Sequence, residues 1–291
     1  MKIAVLADIH ANYVALQTAE AHLSDWRPDH VIIAGDIVNR GPRPAECLEF
    51  IQRKMISEDW HVIRGNHEDY VILHASPDAP RSGPGLEVHR ASLWTYQQLD
   101  QDVSSLTAMP LKYELIGPDR KLVQFVHGSL LGIRDGIYPE TSEHTLRRKI
   151  GLDHQLPGIN SMSLFCVGHT HRPVIRWLDG VLVVNAGSVG LPFDHDNRLA
   201  YAQITNRNES WHAEIVRLPY DIEHAEKDFH DTGYLKDAGP LTQLVQIELL
   251  TASSHLYNWA IEFQETALEG KISVEETVKR YLARISANTA S

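Results

Sequence analysis

The stretch that decides the fold is Ile3-Ala-Val-Leu-Ala-Asp-Ile-His10, an apolar run of strand length that ends in an acid and a histidine. A second run, His30-Val-Ile-Ile-Ala34, leads directly into Gly35-Asp36. Continuous apolar runs of this length are typical of parallel strands buried on both faces. Residues 13–23 between them have the Ala, Leu, Gln and Glu composition of a helix. The chain therefore opens as a strand, helix and strand, joined by a right-handed crossover.

Three further predicted strands also end in residues that can bind a metal. One covers residues 60–63, and two others cover residues 122–126 and 164–167, which precede His127-Gly128 and Gly168-His169. Parallel strands present their carboxyl ends on one edge of a sheet, and ligands bind at that edge in open α/β sheets. We therefore expect the polar residues that follow these strands to share one edge.

The rest of the chain is predicted to add a second sheet, two lids and a helical tail. Antiparallel strands of a second sheet are expected over residues 181–184, 199–205 and 211–216. Stretches with several Pro and Gly residues, at about 76–110 and 130–160, are interpreted as lid-like loops, with one helix over 87–99. Helices are predicted over residues 221–229, 241–268 and 274–285.

This alternation of strands and helices indicates an α/β (α+β) protein with two parts. We predict a catalytic domain over residues 1–220 and a C-terminal helical extension over residues 221–291 that packs on the core. The total of 291 residues is enough to bury a full core without disulfides.

Composition excludes several classes of protein. Hydrophobic residues make up 43% of the chain and charged residues 22%, which is typical of a globular protein and not of a disordered one. The net charge of -11 disfavours binding to a nucleic-acid duplex. No stretch approaches the ~20 apolar residues of a membrane span. The two cysteines, Cys47 and Cys166, lie in apolar runs, which favours buried free thiols and a cytoplasmic location.

Residue types that bind metals recur at the predicted strand ends. They are Asp8, His10, Asp36, Asn66, His67, His127, His169 and His171. A single histidine is often only a packed or surface residue, but loop tips seldom collect Asp, Asn and His alone. The mixed nitrogen and oxygen donors suit Mn, Fe, Zn or Ni better than Ca or Mg, which prefer oxygen. The pattern therefore predicts a transition-metal site.

Five sequence blocks resemble the calcineurin-like metallophosphoesterases, in the order found in that family. They are Asp8-Ile-His10, Gly35-Asp-Ile-Val-Asn-Arg-Gly41, Gly65-Asn-His-Glu68, His127-Gly128 and Gly168-His-Thr-His171. The resemblance implies a four-layer αββα sandwich of two mixed sheets flanked by helices. It also implies two metals, the first bound by Asp8, His10, Asp36 and His171. The second would be bound by Asp36, Asn66, His127 and His169, so that Asp36 bridges the pair.

Such a pair of cations has a defined chemistry. Two cations ~3.5–4 Å apart acidify a shared water molecule to hydroxide and hold the phosphoryl oxygens during in-line displacement. His67 follows the predicted ligand Asn66 and is predicted to protonate the leaving oxygen as general acid. The alternative is that His67 only orients a ligand. Arg40 and Arg64 are predicted to bind the substrate phosphate, although Arg64 could instead pair with a carboxylate.

The blocks combine features of two branches of that family. Residues 35–46 and 63–68 look like the serine/threonine protein phosphatases and the symmetrical diadenosine tetraphosphatases. In contrast, Gly168-His-Thr-His171 and Asn185-Ala-Gly-Ser-Val-Gly190 look like the small bacterial phosphodiesterases. Asn39 stands where the protein phosphatases usually carry an Asp that supports the catalytic His, which argues against phosphomonoester turnover by that route.

The sequence therefore predicts a dinuclear phosphoesterase that acts on a phosphomonoester, a phosphodiester or a dinucleoside polyphosphate. Its expected partners are small phosphorylated substrates, including nucleotides, and no duplex or membrane, and the chain is expected to be a monomer or a homodimer. Three alternatives stay open: a phosphoprotein phosphatase, a non-catalytic metal-binding module of the same fold, and a nuclease, against which the net charge argues.

Overall fold

The computed structural model describes residues 1–154 and 162–289. Within these ranges, ten strands form two five-stranded sheets: β1 (Lys2–Leu6), β2 (His30–Ile33), β3 (His61–Val62), β4 (Lys112–Ile116), β5 (Leu122–Val126), β6 (Met162–Val167), β7 (Val174–Leu178), β8 (Val181–Asn185), β9 (Leu199–Arg207) and β10 (Ser210–Leu218). The first sheet has the order β10-β9-β1-β2-β3, and the second has the order β4-β5-β6-β8-β7.

Helices cover the outer faces of both sheets. They are α1 (Tyr13–Trp26), α2 (Pro44–Glu58), α3 (Asn66–Ile72), α4 (Gly83–Val88), α5 (Arg90–Gln98), α6 (Ser104–Ala108), α7 (Glu143–Lys149), α8 (Ile222–Asp231), α9 (Tyr234–Asp237), α10 (Thr242–Thr251), α11 (His255–Trp259), α12 (Glu265–Leu268) and α13 (Val274–Thr289). Short 3-10 turns cover Leu73–Ala75 and Leu152–His154, and a π-helical turn covers Ala260–Gln264. Among the helices described here, none is both long enough and apolar enough to cross a membrane.

The alternation of side chains along the central strands builds the layers. In β1, Ile3 and Val5 face the second sheet and pack in one buried cluster with Phe125 and Cys166. The intervening residue Leu6 faces the opposite side and packs with the helices α1 and α2. Both sheets are mixed, because each contains parallel and antiparallel pairs of strands. The predicted fold of two mixed sheets flanked by helices is confirmed.

The predicted sheet for the hairpin of β9 and β10 is wrong. The hairpin belongs to the first sheet, where β9 runs antiparallel to β1 with Val5 opposite Ala202. Ala202 and Ile204 then point into the core between the sheets. Alternation in the sequence predicts a hairpin, but it does not indicate which open strand edge the hairpin will cover.

The predicted helix over residues 241–268 is also wrong as a single element. Helix α10 ends at Thr251, because Ala252 adopts a left-handed backbone with φ of 49°. The wholly buried Glu248 then accepts a hydrogen bond of 2.7 Å from the backbone N–H of Leu256, which fixes the start of the next helix. The helix predicted over 87–99 similarly divides at His89 into α4 and α5.

The segments predicted as lids contribute to the core. Trp94 and Leu106 of the first predicted lid are buried in the cluster formed by the first sheet and the helices that flank it. Leu146 and Ile150 from the second pack on the outer face of the second sheet. Residues 155–161 of that segment lie outside the described residues. The C-terminal helices have a small core of their own around Trp259, and the proposed domain boundary at residue 220 stays a prediction.

The loop after β8 is locked against the end of β1. The backbone N–H of Gly190 donates to the Asp8 carbonyl at 3.1 Å, and a Cβ atom at Gly190 would lie only 1.8 Å from the Ile9 carbonyl oxygen. We therefore expect Gly190→Ala to lower the free energy of unfolding by at least about 2 kcal/mol, measured by urea denaturation.

The control is Gly132→Ala, because among the described residues only its chain neighbours lie within 4 Å of its Cβ position. A change within about 0.5 kcal/mol is expected for this control. Equal stability of the two variants would contradict the close contact at Gly190.

Candidate metal centre

The loops after five strands bring the predicted ligand side chains to one place. Their ligand atoms form two groups, Asp8, His10, Asp36 and His171 in one and Asp36, His127 and His169 in the other, within each of which all atoms lie within 4.8 Å of one another. The Asn66 carboxamide oxygen lies 3.0 Å from His127 Nε2 and so joins the second group. Asp36 is common to both groups. These side chains are buried, apart from His169, which is partly exposed.

The backbone at these positions is unusual. Asp8, His10, Asp36, His169 and His171 all adopt left-handed conformations with φ between 48° and 67°. Each such residue costs of order 1 kcal/mol, and strained residues of this kind cluster at functional sites. The loops therefore turn sharply enough for the side chain after each strand end to point back into the common edge.

Two glycines allow the loops to meet. A Cβ atom at Gly65 would lie 2.1 Å from an Asp36 carboxylate oxygen, and one at Gly168 would lie 2.6 Å from an Asp8 carboxylate oxygen. Any larger residue would push these acids out of the cluster. The structure therefore gives a steric reason for glycine in the third and fifth sequence blocks.

Four histidines each give one ring N–H to a backbone carbonyl. His10 Nδ1 donates to Asn39 at 3.2 Å, His127 Nδ1 to Ala34 at 2.7 Å, His169 Nε2 to Arg134 at 3.1 Å, and His171 Nδ1 to Leu191. A carbonyl oxygen can only accept, so the proton of each neutral ring lies on that nitrogen. The other nitrogen then presents a lone pair, which is the usual arrangement of histidines that bind metals.

The first group of ligand atoms needs a positive charge between its members. His10 Nε2 and His171 Nε2 lie 3.1 Å apart, yet both carry lone pairs and neither has a proton to share. The buried Asp8 Oδ1 lies 3.3 Å from His171 Nε2 and has no hydrogen-bond donor among the described residues. A cation between these atoms would satisfy all three, so the residues fit a metal.

The second group has the same character. His127 Nε2 lies 3.3 Å from Asp36 Oδ2 and 3.0 Å from Asn66 Oδ1, and both oxygens are acceptors. Burial lowers the pKa of His127, but the Asp36 carboxylate outweighs it and raises that pKa to about 10. The electrostatic field at this position therefore favours a positive charge, which a bound cation supplies as well as a proton does.

His67 stands beside the cluster without joining either group. Asn39 Oδ1 accepts the backbone N–H of Arg40 at 2.9 Å, so Asn39 Nδ2 faces His67 and donates to its Nδ1 at 3.0 Å. The proton of the neutral imidazole therefore lies on Nε2. Burial holds the pKa of His67 well below its usual value. An amide donor at Asn39 also disfavours the imidazolium, whereas an aspartate would favour it.

The two predicted substrate arginines differ in their surroundings. Arg64 Nε lies 3.1 Å from Asp69, and its Nη1 donates to the Thr107 carbonyl at 3.2 Å. This is the carboxylate pairing considered as its alternative role, and its contact with substrate stays a prediction. The Arg40 guanidinium makes no hydrogen bond or ion pair with any residue that the structure describes, and it lines a cleft beside His67.

Sequence reasoning missed the part played by Glu68. This wholly buried carboxylate accepts four backbone N–H groups, from Asp36 at 2.9 Å, Ile37 at 2.8 Å, Val38 at 3.2 Å and Gly65 at 2.8 Å. It thereby ties the loop after β2 to the start of α3. The bond to Gly65 is half of a capping box, and a Glu three residues into the block was its visible signal.

A family model for the calcineurin-like phosphoesterase superfamily domain matches residues 1–208. The chain therefore belongs to this family. Its class of activity is the hydrolysis of phosphoric esters, and the family depends on metal ions.

Several known proteins are similar to this chain over most of its length. The uncharacterized protein MJ0912 of Methanocaldococcus jannaschii is 27% identical over 77% of this chain and 89% of its own length. The phosphodiesterase YfcE of Escherichia coli K12 is 24% identical over 71% of this chain and 88% of its own length. The crystal structure of a metallophosphoesterase from Sphaerobacter thermophilus is similar with a TM-score of 0.63 and 28% identity, covering 87% of this chain and 99% of that one.

The carboxylate of Glu68 gives a test of how the site is held. In Glu68→Gln, one oxygen becomes an NH₂ group that faces two backbone N–H donors, whichever way the amide turns. We expect the free energy of unfolding to fall by about 2 to 4 kcal/mol, measured by urea denaturation. The control Glu87→Gln breaks only a half-exposed ion pair with Arg90 and should cost less than about 1 kcal/mol. Equal losses in the two variants would contradict this role.

Proposed function

We propose that this chain hydrolyses small phosphate esters at a centre of two divalent transition-metal ions. The first ion would be held by Asp8, His10, Asp36 and His171, and the second by Asp36, Asn66, His127 and His169. The observation that carries the proposal is the set of four histidines whose N–H groups are taken up by backbone carbonyls. Their free lone pairs converge on two buried carboxylates.

The donor set also supports the choice of metal. When bound, two such cations acidify water and neutralise charge on the phosphoryl oxygens. Imidazole nitrogens and carboxylate oxygens together suit Mn, Fe, Zn or Ni. We include manganese as the ion for first tests.

His67 and Arg40 handle the substrate in this proposal. The negative charge of a bound phosphate would favour the imidazolium of His67, which donates its Nε2 proton to the oxygen of the leaving group and is left as the neutral ring. The Arg40 guanidinium lines the same cleft and has no ion-pair partner in the described part of the chain, and such a group is suited to binding two phosphoryl oxygens at once. Asp36 accepts the backbone N–H of His67 at 2.8 Å, so the carboxylate shared by both metal sites also fixes the position of His67.

The substrate class and the location follow from the relatives and the thiols. Similarity to a phosphodiesterase over 88% of its length supports small phosphodiesters as substrates. The net charge of -11 argues against duplex substrates. Both cysteines are free and buried, which supports a reducing, cytoplasmic location.

The shared role of Asp36 predicts the metal content of two variants. Wild-type protein dialysed against Mn²⁺ should hold about two ions per chain by elemental analysis, as a dinuclear centre requires. Asp36→Asn should lose both ions, because it removes a charged ligand from each group. Asp8→Asn should keep about one, because it affects only the first group.

The control is Asp179→Asn, since Asp179 is a half-exposed acid paired with Arg147 outside the cluster. It should bind as much metal as the wild type. Full metal occupancy in Asp36→Asn would overturn the assignment.

The role of His67 predicts a dependence on the leaving group. His67→Ala should lower kcat by about 10²- to 10⁴-fold for alkyl phosphate esters, whose leaving oxygen needs a proton. The loss should be much smaller for p-nitrophenyl esters, because p-nitrophenolate leaves without one. Metal content should not change.

His212→Ala removes an exposed histidine on β10 and serves as the control. It should leave both rates unchanged. Equal losses of rate on both types of ester in His67→Ala would refute the proton transfer.

A further inference from the structure

A cleft of 260 Å³ opens beside His67 and extends away from the metal ligands. One wall comes from the part of the chain that matches the family, and the other comes from the C-terminal helices. The first wall includes Arg40, His67 and Tyr70, and the second includes Tyr257, Ala260 and Gln264.

The chemistry of the walls changes along the cleft. Arg40, His67 and Asn39 lie at the end next to the metal centre, whereas Val88 and Leu256 are among the apolar residues beyond them. None of the lining residues that the structure describes is acidic, and Arg40 is the only Lys or Arg among them. The cleft therefore suits a ligand with a phosphate at one end and an uncharged apolar group at the other.

An aromatic edge runs along the first wall. The Tyr70 ring lies perpendicular to the His67 ring, with centroids 5.1 Å apart, and the His89 ring follows at 6.1 Å from Tyr70. The Arg134 guanidinium lies 5.0 Å from the Tyr70 ring on another side, which holds that ring in place. Tyr257, with 63% of its surface exposed, belongs to the opposite wall. A planar ring is the group that such edges bind best.

The opposite wall contains an irregular helical turn. Ala260 and Gln264 are the first and last residues of the π-helical turn, and both line the cleft. Turns of this kind are rare and are found frequently at functional sites. The preceding residue Trp259 is buried, and its Nε1 donates to Thr277 Oγ1 of α13 at 3.1 Å. The C-terminal helix thus fixes this wall in position.

We propose that the cleft binds an aromatic ring carried by the leaving group of the phosphate ester. This inference rests on the proposed function, because a group attached to the oxygen that His67 protonates lies on the His67 side of phosphorus. In the reaction, water forms a new oxygen bond to phosphorus and the bond from phosphorus to the leaving oxygen breaks. The leaving group, which carries the ring, then departs as an alcohol with the proton given by His67. The attacking water releases a proton, which restores the protonated form of His67.

The volume limits the size of this group. Pockets for drug-sized ligands span roughly 300–1,000 Å³, and this cleft lies just below that range. It accommodates one ring system, such as a naphthyl group or a nucleoside, and not a folded phosphoprotein segment. Both the naphthyl group and the nucleoside present a flat, uncharged ring. The binding experiment below distinguishes between them.

The test measures binding of two probes without phosphate, 1-naphthol and adenosine, by isothermal titration calorimetry. Ala260→Trp fills the cleft from the helical wall, and Ala91→Phe fills it from the other. Ile261→Trp is the matched control, because Ile261 is 71% exposed on the same turn and does not line the cleft. Circular dichroism establishes that each variant is folded, so either filling variant alone keeps the test valid.

We expect the wild type and Ile261→Trp to bind at least one of the two probes with the same affinity. A filling variant should bind that probe at least tenfold more weakly. Tighter binding of adenosine identifies a nucleoside, and tighter binding of naphthol identifies a simple aryl group. Failure of the wild type to bind either probe, or equal binding by folded filling variants, would overturn the proposal. Failure of the proposed function appears separately, as absent hydrolysis of p-nitrophenyl esters with Mn²⁺, because probe binding needs no catalysis.

Discussion

Backbone carbonyls determine what this centre can do, because each one fixes which nitrogen of a histidine is free. The carbonyl of Ala34 directs His127, and that of Leu191 directs His171. These carbonyls belong to loops that leave different strands, so the lone pairs converge only when both sheets are correctly paired. Chemistry at the edge therefore depends on the whole sandwich and not on one loop.

A second constraint is the burial of charge at the junction of the sheets. Asp36 is almost fully buried, and the charge of His127 holds its pKa well below the usual value despite that burial. Glu68 lies behind it with four N–H donors and without a cationic partner in the part of the chain that the structure describes. Two adjacent buried carboxylates are costly unless positive charge is close, which explains why the imidazoles of His127, His67 and His10 surround Asp36.

Much of the sandwich, and the meeting of the candidate ligand side chains at one edge, could be predicted because both follow local rules. An apolar run that ends in Asp or His indicates a strand whose carboxyl end carries a side chain of the cluster, as with β1 and Asp8. The sheet that receives the hairpin and the division of the helix at Ala252 could not be predicted. The place of the hairpin depends on its pairing with β1, which is distant in sequence. The division of the helix depends on the hydrogen bond from the Leu256 N–H to Glu248. The left-handed loop residues also leave no signal in composition.

The π-helical turn has a consequence for how this scaffold can diversify. A π-helical turn holds one residue more than an α-helical turn, so deleting a residue here would let the turn close as an ordinary α-helix. The wall would then lose one of the positions between Trp259 and Glu265, which changes the side chains that face the cleft. The loss of a single codon in this helix would thus change the shape of the cleft and leave every proposed metal ligand in place.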